Sequence, residues 1–315
     1  MRPVLIPFPN MRPLADQLAA LMGAEVAPLD WRRFPDGESL ITLNGDLEGR
    51  EAAILCALCD PDRHALPLRF AADTAREMGA VHAGLIAPYL GYMRQDRRFH
   101  SGEAVSARLF ARFLAESFDW LVTVDPHLHR IQALNELFAI PAHRVSVAPL
   151  LAKWIAETVE SPVLVGPDSE SRQWVAEVAS LAECPYEVLH KVRSGDRSVE
   201  VSQSEYQWGF SGTPVLVDDI ASSGRTLVRA IERLSESGTK PPVCAVIHAV
   251  FAGQAHAEIL AAGASQIVTT DTIPHESNAI GIAPLLAESA NHTLAALPSS
   301  SWTDCVGGIP QSKGL

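Results

Sequence analysis

The sequence predicts an α/β fold of two tandem domains, each a mainly parallel sheet flanked by helices. Short apolar runs, such as AAILCAL, WLVTV and PVLVDD, alternate with stretches of helical period such as EAVSARLFARFLAES. This alternation is typical of parallel strands joined by helical crossovers. The apolar runs are continuous, without the regular polar residue of a half-exposed strand, so helices should cover both faces of each sheet.

A repeated pattern indicates that there are two such domains. A basic loop occurs at residues 94–98 and again at residues 191–197, and an apolar strand ends in an acid at Asp125 and again at Asp219. The spacing between corresponding features is nearly the same, which predicts a duplicated domain.

The expected boundaries follow from where the periodic segments stop. We expect the first domain over residues 1–144 and the second over residues 145–290. The last residues, 291–315, include PSSSWTD and GGIPQSKG and have neither a helical nor a strand period. They are therefore predicted to form a tail.

Composition excludes several classes of protein. A chain of 315 residues with 47% hydrophobic residues can bury a large core, and its formal net charge of −12 would repel a nucleic acid. No apolar run approaches the roughly 20 residues that span a bilayer, and the first residues lack the apolar stretch of a signal peptide. The five cysteines are scattered, including the C-x-x-C pair Cys56 and Cys59, which we expect in the core. These features predict a cytoplasmic protein.

The strongest candidate for a binding site is the segment TPVLVDDIASSGRT, at residues 213–226. An apolar strand leads into two carboxylates and then into small residues before a helix, and ligands of open α/β sheets bind at this end of a strand. The amides of the Ser-Ser-Gly turn could converge on a phosphate. Asp218 and Asp219 could accept hydrogen bonds from ribose hydroxyls. A turn that only caps the following helix is the alternative.

Two other segments have residues suited to a nucleotide. FPDGE begins at Phe34, and YLGYMRQDRRFHSGE contains Arg94. A phenyl ring and a guanidinium group could stack on the two faces of an adenine. A Pro-Asp-Gly hairpin turn and a charged surface loop are the alternatives.

Three further short motifs follow predicted strands. His127 lies in VDPH and Asp168 in GPD, each after an apolar strand, while Lys191 and Arg193 lie in KVR. Because they are two residues apart on a strand, the side chains of Lys191 and Arg193 should point to the same side and could clamp a polyphosphate. Basic residues that protect an edge strand from aggregation are the alternative.

In this order, the motifs resemble those of ribose-phosphate diphosphokinases, also called phosphoribosyl diphosphate synthetases. The resemblance runs from about residue 4 to about residue 290. It implies that both domains are like type I phosphoribosyltransferases, with nucleotide loops on the first and the ribose 5-phosphate loop and a catalytic flap on the second. It also implies a reaction: transfer of the β,γ-diphosphate of Mg-ATP to the 1-hydroxyl of ribose 5-phosphate, giving phosphoribosyl diphosphate and AMP.

The resemblance assigns roles to individual residues. Lys191 and Arg193 are expected to be catalytic, and His127 and Asp168 to hold Mg²⁺, with most of the affinity from oxygen ligands. The residues implied to bind the nucleotide are Phe34, Asp36, Glu38, Arg94, Gln95, Asp96 and Arg97. Those implied to bind ribose 5-phosphate are Asp218, Asp219, Ser222, Ser223, Gly224, Arg225 and Thr226.

The family also implies an assembly, because its FPDGE loop reaches across from a neighbouring subunit. We therefore expect a homo-oligomer of dimer units, with a hexamer as the larger form, and ATP and ribose 5-phosphate as small-molecule partners. Two alternative functions stay open. A phosphoribosyltransferase would use the same sugar loop but has no reason to carry FPDGE, and a non-catalytic paralogue would regulate an active synthetase.

Overall fold

The computed structural model describes residues 2–128, 130–131, 133–189 and 212–298. These residues divide into two compact units. The first comprises the described residues of Met1–Thr123, Arg130–Arg144 and Ala283–Leu315, and the second those of Val124–His129 and Val145–Ile282.

The first sheet has six strands in the order β2-β1-β5-β6-β7-β8. The pairs β1–β2, β1–β5, β5–β6 and β6–β7 are parallel. Its strands are β1 (Val4–Pro7), β2 (Glu25–Val26), β5 (Glu51–Leu55), β6 (His82–Ala87), β7 (Trp120–Val124) and β8 (Ala142–Val145). The helices of this unit are α1 (Arg12–Met22), α2 (Pro61–Glu77), α3 (Ser106–Ala115) and α8 (Ala283–Ala296).

A separate antiparallel hairpin of the first unit consists of β3 (Leu29–Arg33) and β4 (Ser39–Leu43). Its burial alternates only weakly, and Leu40 and Phe34 are exposed. The FPDGE motif forms the tip of this hairpin.

Close packing fixes the centre of the first sheet. Trp120 of β7 is fully buried and lies against Gly84 of β6. A Cβ atom at Gly84 would lie only 1.8 Å from Cε2 of the indole ring. A residue without a side chain is therefore required beside this large ring.

The second sheet repeats the plan of the first, with the order β10-β9-β11-β12-β13-β14, and all of its pairs are parallel. Its strands are β9 (Pro162–Gly166), β10 (Tyr186–Val188), β11 (Thr213–Ile220), β12 (Val243–His248), β13 (Gln266–Thr270) and β14 (Asn278–Ile280). Its helices are α4 (Ala148–Thr158), α5 (Arg172–Leu181), α6 (Arg225–Glu236) and α7 (Ala255–Ala261).

Helices cover both faces of this second sheet, which explains its continuous apolar strands. Along β11, Val215 and Val217 face the cluster that contains α4 and α5. Leu216, between them, faces the opposite cluster with α6 and α7. Both faces are thus buried, as the sequence predicted.

The fold class is confirmed: two α/β domains with parallel six-stranded sheets. Two details need correction. The helix α8 extends to Ala296, beyond residue 290, and belongs to the first unit because it packs against α1. Of the C-x-x-C pair, Cys56 is buried but Cys59 is exposed, because β5 ends at Leu55 and the chain turns outward before α2.

Candidate active site

A carboxylate and a histidine meet at the carboxyl end of the second sheet. Asp219 lies near the end of β11, and its Oδ2 is 2.5 Å from Nδ1 of His127. Both side chains are partly buried, with 28% of Asp219 and 20% of His127 exposed. The predicted sugar-binding and metal-binding residues are therefore adjacent, although 92 positions separate them in the chain.

The turn that carries His127 is held by three hydrogen bonds at Asp125. Its N–H donates to the Val145 carbonyl, its carboxylate accepts from the Val147 N–H at 2.8 Å, and its carbonyl accepts from Nε2 of His248 at 3.2 Å. Asp125 also has a φ of 29°, a conformation that non-glycine residues rarely adopt. Such a conformation persists only where the surroundings hold it, and here they do.

His248 ends β12 and is completely buried. Its Nδ1 lies 2.9 Å from Oγ1 of Thr272, so both ring nitrogens have partners. Burial lowers the pKa of His248 to about 4, although the Asp125 carbonyl and the Asp219 charge oppose this shift. The imidazole is therefore neutral at physiological pH.

Asp218 lies beside Asp219 and has a strongly perturbed acidity. Burial, followed by the negative charges of Asp219 and Asp168, raises the pKa of Asp218 well above its ordinary value. The Asp219 N–H donates to Oδ1 of Asp218 and only partly offsets these effects. Three carboxylates thus lie in one region, and a bound cation would reduce the repulsion between their negative charges.

Asp168 follows β9, in the segment whose sequence is GPDSESRQW. Ser171 fixes this turn, because its Oγ donates to the Asp168 carbonyl at 2.6 Å. The short helical turn Ser169–Ser171 leads directly into α5. The serine is therefore a structural residue that keeps Asp168 at the end of its strand.

Two backbone hydrogen bonds hold the loop between β11 and α6 through its carbonyl oxygens. The N–H groups of Phe251 and Ala252 donate to the carbonyls of Ala221 and Ser222, at 2.8 and 2.9 Å. Gly224 has a φ of 70° and directly precedes the first residue of α6. A Cβ there would lie 3.1 Å from the Ile259 side chain, so only glycine fits without movement.

The first N–H groups of α6 have no partner within the helix and point toward its N-terminus. Ser223, Arg225 and Thr226 are exposed there, and Ser222 is partly buried. The loop therefore presents small polar groups and backbone amides next to the two aspartates, which is the arrangement that the sequence predicted.

The FPDGE segment forms a tight turn at the tip of the hairpin. The Phe34 N–H donates to the Glu38 carbonyl, and the Glu38 N–H donates to Oδ1 of Asp36. The Phe34 ring is 40% exposed, and the guanidinium of Arg32 lies 4.9 Å from its centroid. Within one chain, the Arg32 guanidinium therefore lies over this ring, and the stacking of an adenine between Phe34 and Arg94 stays a prediction.

Glu103 organises the basic loop that contains residues 94–97. Its Oε2 accepts from the N–H groups of Phe99 and His100, at 2.9 and 3.0 Å, and its carbonyl accepts from Nε of Arg98. The hydrogen bond from the His100 side chain, followed by those from the two backbone groups, lowers the pKa of Glu103. Glu103 therefore stabilises the C-terminal part of this loop through hydrogen bonds to residues 98–100.

The predicted nucleotide residues of this loop differ in exposure. Arg94 and Arg97 are exposed and Gln95 is partly buried. The Asp96 side chain is only 2% exposed and accepts from Nη1 of Arg130 at 2.9 and 3.2 Å. Asp96 thus holds Arg130 in place. The predicted catalytic residues Lys191 and Arg193 lie outside the described residues.

Comparison with known proteins decides the family. Residues 4–117 match the model of the N-terminal domain of ribose phosphate pyrophosphokinase, and residues 134–282 match the phosphoribosyl transferase domain. The chain belongs to the ribose-phosphate pyrophosphokinase family. The protein of that name from Methanopyrus kandleri is 36% identical over 282 residues, which cover 89% of this chain and 95% of the relative. The protein from Methanothermobacter thermautotrophicus is 33% identical, over 87% of this chain and 95% of the relative.

A solved ribose-phosphate pyrophosphokinase has the same fold. The crystal structure of phosphoribosylpyrophosphate synthetase from Mycobacterium smegmatis matches with a TM-score of 0.80 and 27% identity, over 94% of this chain and 99% of that one. The predicted family and activity are thereby confirmed: a transferase that makes phosphoribosyl diphosphate for nucleotide biosynthesis. In the described residues, no helix is long and apolar enough to cross a membrane.

Sequence reasoning missed several residues that shape these sites. His248 and Arg130 have partners that are distant in the chain, at Asp125 and Asp96, so no local pattern marked them. The others, Arg32, Glu103 and Ser171, have partners within four positions, but the sequence assigned them no role.

Proposed function

We propose that the carboxyl end of the second sheet binds ribose 5-phosphate and Mg²⁺, and that the loops of the first unit bind ATP. The observation that carries this proposal is the juxtaposition of Asp218, Asp219 and His127 at the end of β11, directly before the glycine-led start of α6.

The two ends of ribose 5-phosphate find complementary groups on this one loop. Ionised carboxylates only accept hydrogen bonds, which suits Asp218 and Asp219 to the ribose hydroxyls. Backbone amides at a helix N-terminus attract a phosphate, and Ser222, Ser223, Arg225 and Thr226 contribute hydroxyls and a positive charge. Gly224 has no side chain, so the backbone at this point can approach the phosphate closely.

The residues at the strand ends also suit a divalent cation. Metal-binding histidines usually donate their second ring N–H to a carboxylate, and His127 faces Asp219 in this way through Nδ1. Asp168 supplies a hard oxygen ligand, and its charge contributes to the raised pKa of Asp218. When bound, Mg²⁺ supplies charge neutralisation for the diphosphate that is transferred.

The ATP site is proposed on the exposed hairpin and the basic loop. Phe34 offers an exposed ring, Asp36 and Glu38 lie at the same hairpin tip, and Arg94, Gln95 and Arg97 offer donors. Asp96 acts through Arg130, which it orients. An exposed aromatic ring at the end of a hairpin is well suited to complete a site on a second copy, so we propose a homo-oligomer of dimer units.

Lys191 and Arg193 are proposed to neutralise the charge that develops on the diphosphoryl group. Transfer of this kind depends on positioning and electrostatic stabilisation more than on a covalent intermediate. A cytoplasmic location is proposed as well, with support from the free thiols Cys56, Cys59, Cys184 and Cys244.

The test is identification of the products. Phosphorus NMR of the chain with ATP, ribose 5-phosphate and Mg²⁺ should show AMP and a diphosphate on the anomeric carbon, and excess EDTA should abolish turnover. ADP with a singly phosphorylated product would instead mean transfer of the γ-phosphoryl group. No turnover at all would favour the non-catalytic paralogue. In the same assay, Lys191→Ala should lower kcat about 10²-fold.

A further inference from the structure

The second unit contains a side-chain cluster that the proposed reaction does not use. His256 lies in the first turn of α7, while His275 and Glu276 lie in the loop between β13 and β14. One ligand atom of each of these residues lies within 4.8 Å of the others. We propose that this cluster binds a zinc-like transition-metal ion at a site separate from His127 and Asp168.

The spacing of the ligand atoms fits a tetrahedral ion. Bonds of about 2.0–2.1 Å to nitrogen and oxygen place neighbouring tetrahedral ligand atoms about 3.4 Å apart. Nδ1 of His256 and Oε1 of Glu276 are 3.4 Å apart. The Glu276 side chain is 77% exposed and can rotate to complete the site, with water as the fourth ligand.

The orientation of His275 is fixed in advance. Its Nδ1 is 2.7 Å from Oγ of Ser277, which in turn lies 2.9 Å from Oγ1 of Thr269. Nδ1 also accepts from the Ser277 N–H at 3.1 Å, so the ring proton lies on Nε2 before a metal ion binds. A metal ion at Nε2 would displace this proton, and the proton then carried by Nδ1 would be donated to the Ser277 hydroxyl. Outer partners of this kind are typical of metal-binding histidines.

The loop that carries His275 is itself rigidly held. Asn278 accepts from the His275 N–H at 2.8 Å and donates to the Thr270 carbonyl at 2.6 Å. The Phe251 ring packs against both imidazoles, with centroids 5.2 Å from His256 and 4.7 Å from His275. Binding would therefore require little ordering of the two histidines, which favours affinity.

The chemistry of the ligands selects the class of ion. Two imidazoles and one carboxylate suit zinc, cobalt or nickel, whereas Mg²⁺ prefers oxygen ligands alone. Excess Mg²⁺ should therefore saturate the proposed substrate-metal site without occupying this cluster.

A metal ion at this site would stabilise the segment that holds the loop between β11 and α6. The ion would join the start of α7 to the loop before β14. The segment just before α7 contains Phe251 and Ala252, whose N–H groups bond the carbonyls of Ala221 and Ser222. Metal binding should therefore raise the thermal stability of the second unit.

The experiment is a titration of the metal-stripped full chain with Co²⁺ in excess Mg²⁺, followed by visible absorption and thermal melting. One equivalent of Co²⁺ should bind with the d–d spectrum of a tetrahedral site and raise Tm. His256→Ala and His275→Ala should abolish both effects, and Ser277→Ala should weaken binding about tenfold or more.

Matched controls separate this site from others. His292→Ala alters a different histidine pair, His143 and His292, with ring centroids 6.2 Å apart, and His127→Ala alters the proposed substrate-metal site. Both variants should keep the Co²⁺ spectrum. If a histidine variant fails to fold, the exposed change Glu276→Gln still decides, because it should weaken binding about tenfold or more. Saturation that all three cluster variants retain, or that His127→Ala removes, would overturn the proposal.

Discussion

The two sheets have the same strand order, but only one has charged residues at the corresponding strand end. Strands β5 and β11 occupy equivalent places, each beside the first strand of its sheet. After β5 come Cys56, Ala57 and Leu58, which are all buried. The end of β11 instead carries the partly buried Asp218 and Asp219.

The backbone contacts of these two strand ends are alike. The Cys56 N–H donates to the Ile86 carbonyl of the next strand, and the Ala221 N–H donates to the His248 carbonyl of its own next strand. The backbone framework of the two strand ends is therefore the same, and it does not by itself determine which end is a functional site. What differs is that the second sheet keeps unfavourably buried carboxylates, a loss of stability that is typical of functional sites.

The largest effect should come from the acid that links the sugar loop to His127. Asp219→Ala should lower kcat/KM about 10²–10³-fold, the range for removal of one partner of a buried charge pair. Cys59→Ala, in the exposed part of the corresponding segment of the first unit, should change it less than about twofold. Steady-state kinetics of the two variants provide the measurement. Equal losses would contradict the assignment of the site to the second sheet.

His248 should make stability fall in acid. Its folded-state pKa of about 4 lies below the ordinary value of 6.5, so the unfolded chain takes up the proton first as pH falls. Stability should therefore decrease between pH 6.5 and 4, by a total of about 3 kcal/mol from this group. Urea unfolding of the wild type and of His248→Gln should show a weaker pH dependence in the variant.

Asp218 should act in the opposite direction. Because its pKa is raised in the folded state, the folded chain holds a proton that the unfolded chain has already lost. Its stabilising contribution is present at low pH and disappears as pH rises through the raised value. Asp218→Asn should accordingly raise Tm at neutral pH while lowering activity. A fall in Tm would mean that the Asp218 carboxyl group stabilises the folded chain at neutral pH, contrary to this prediction.

His248 should also affect catalysis, through the position of His127. His248→Phe keeps the ring volume but removes the hydrogen bond to the Asp125 carbonyl, so kcat should fall about tenfold or more. The apparent Mg²⁺ requirement should rise as well, which loss of stability alone would not cause. His82→Phe on β6 removes a contact to Glu51 in the first unit and should leave the Mg²⁺ requirement unchanged.

The smallest effect is expected at the hairpin of the first unit. Phe34→Ala removes one face of the proposed adenine site and should raise the KM for ATP about 2–30-fold, from a contribution of about 0.5–2 kcal/mol. The kcat should change little, because stacking need not strengthen in the transition state. A change confined to kcat would place Phe34 outside the binding step.

Sequence reasoning succeeded where a local pattern carried the information. The apolar runs of β5, β7 and β11 were found because helices bury both of their faces, and the acids of β11 stood out at the end of such a run. The edge strands β2 and β14 were too short for a period to be visible.

The supports of the site could not be found in this way. His248 lies inside the continuous apolar run VCAVIHAVF, and its partner Asp125 is 123 positions away. Arg130 is 34 positions from Asp96. A single sequence gives no signal for such pairs, because folding alone brings them together.

The most direct test of the account is the number of ribose 5-phosphate sites in each chain. Calorimetric titration in the presence of Mg²⁺ should give one site, which Asp219→Ala abolishes and Cys59→Ala leaves intact. Two sites per chain, or one site that survives Asp219→Ala, would contradict the claim that only the second sheet binds the sugar phosphate.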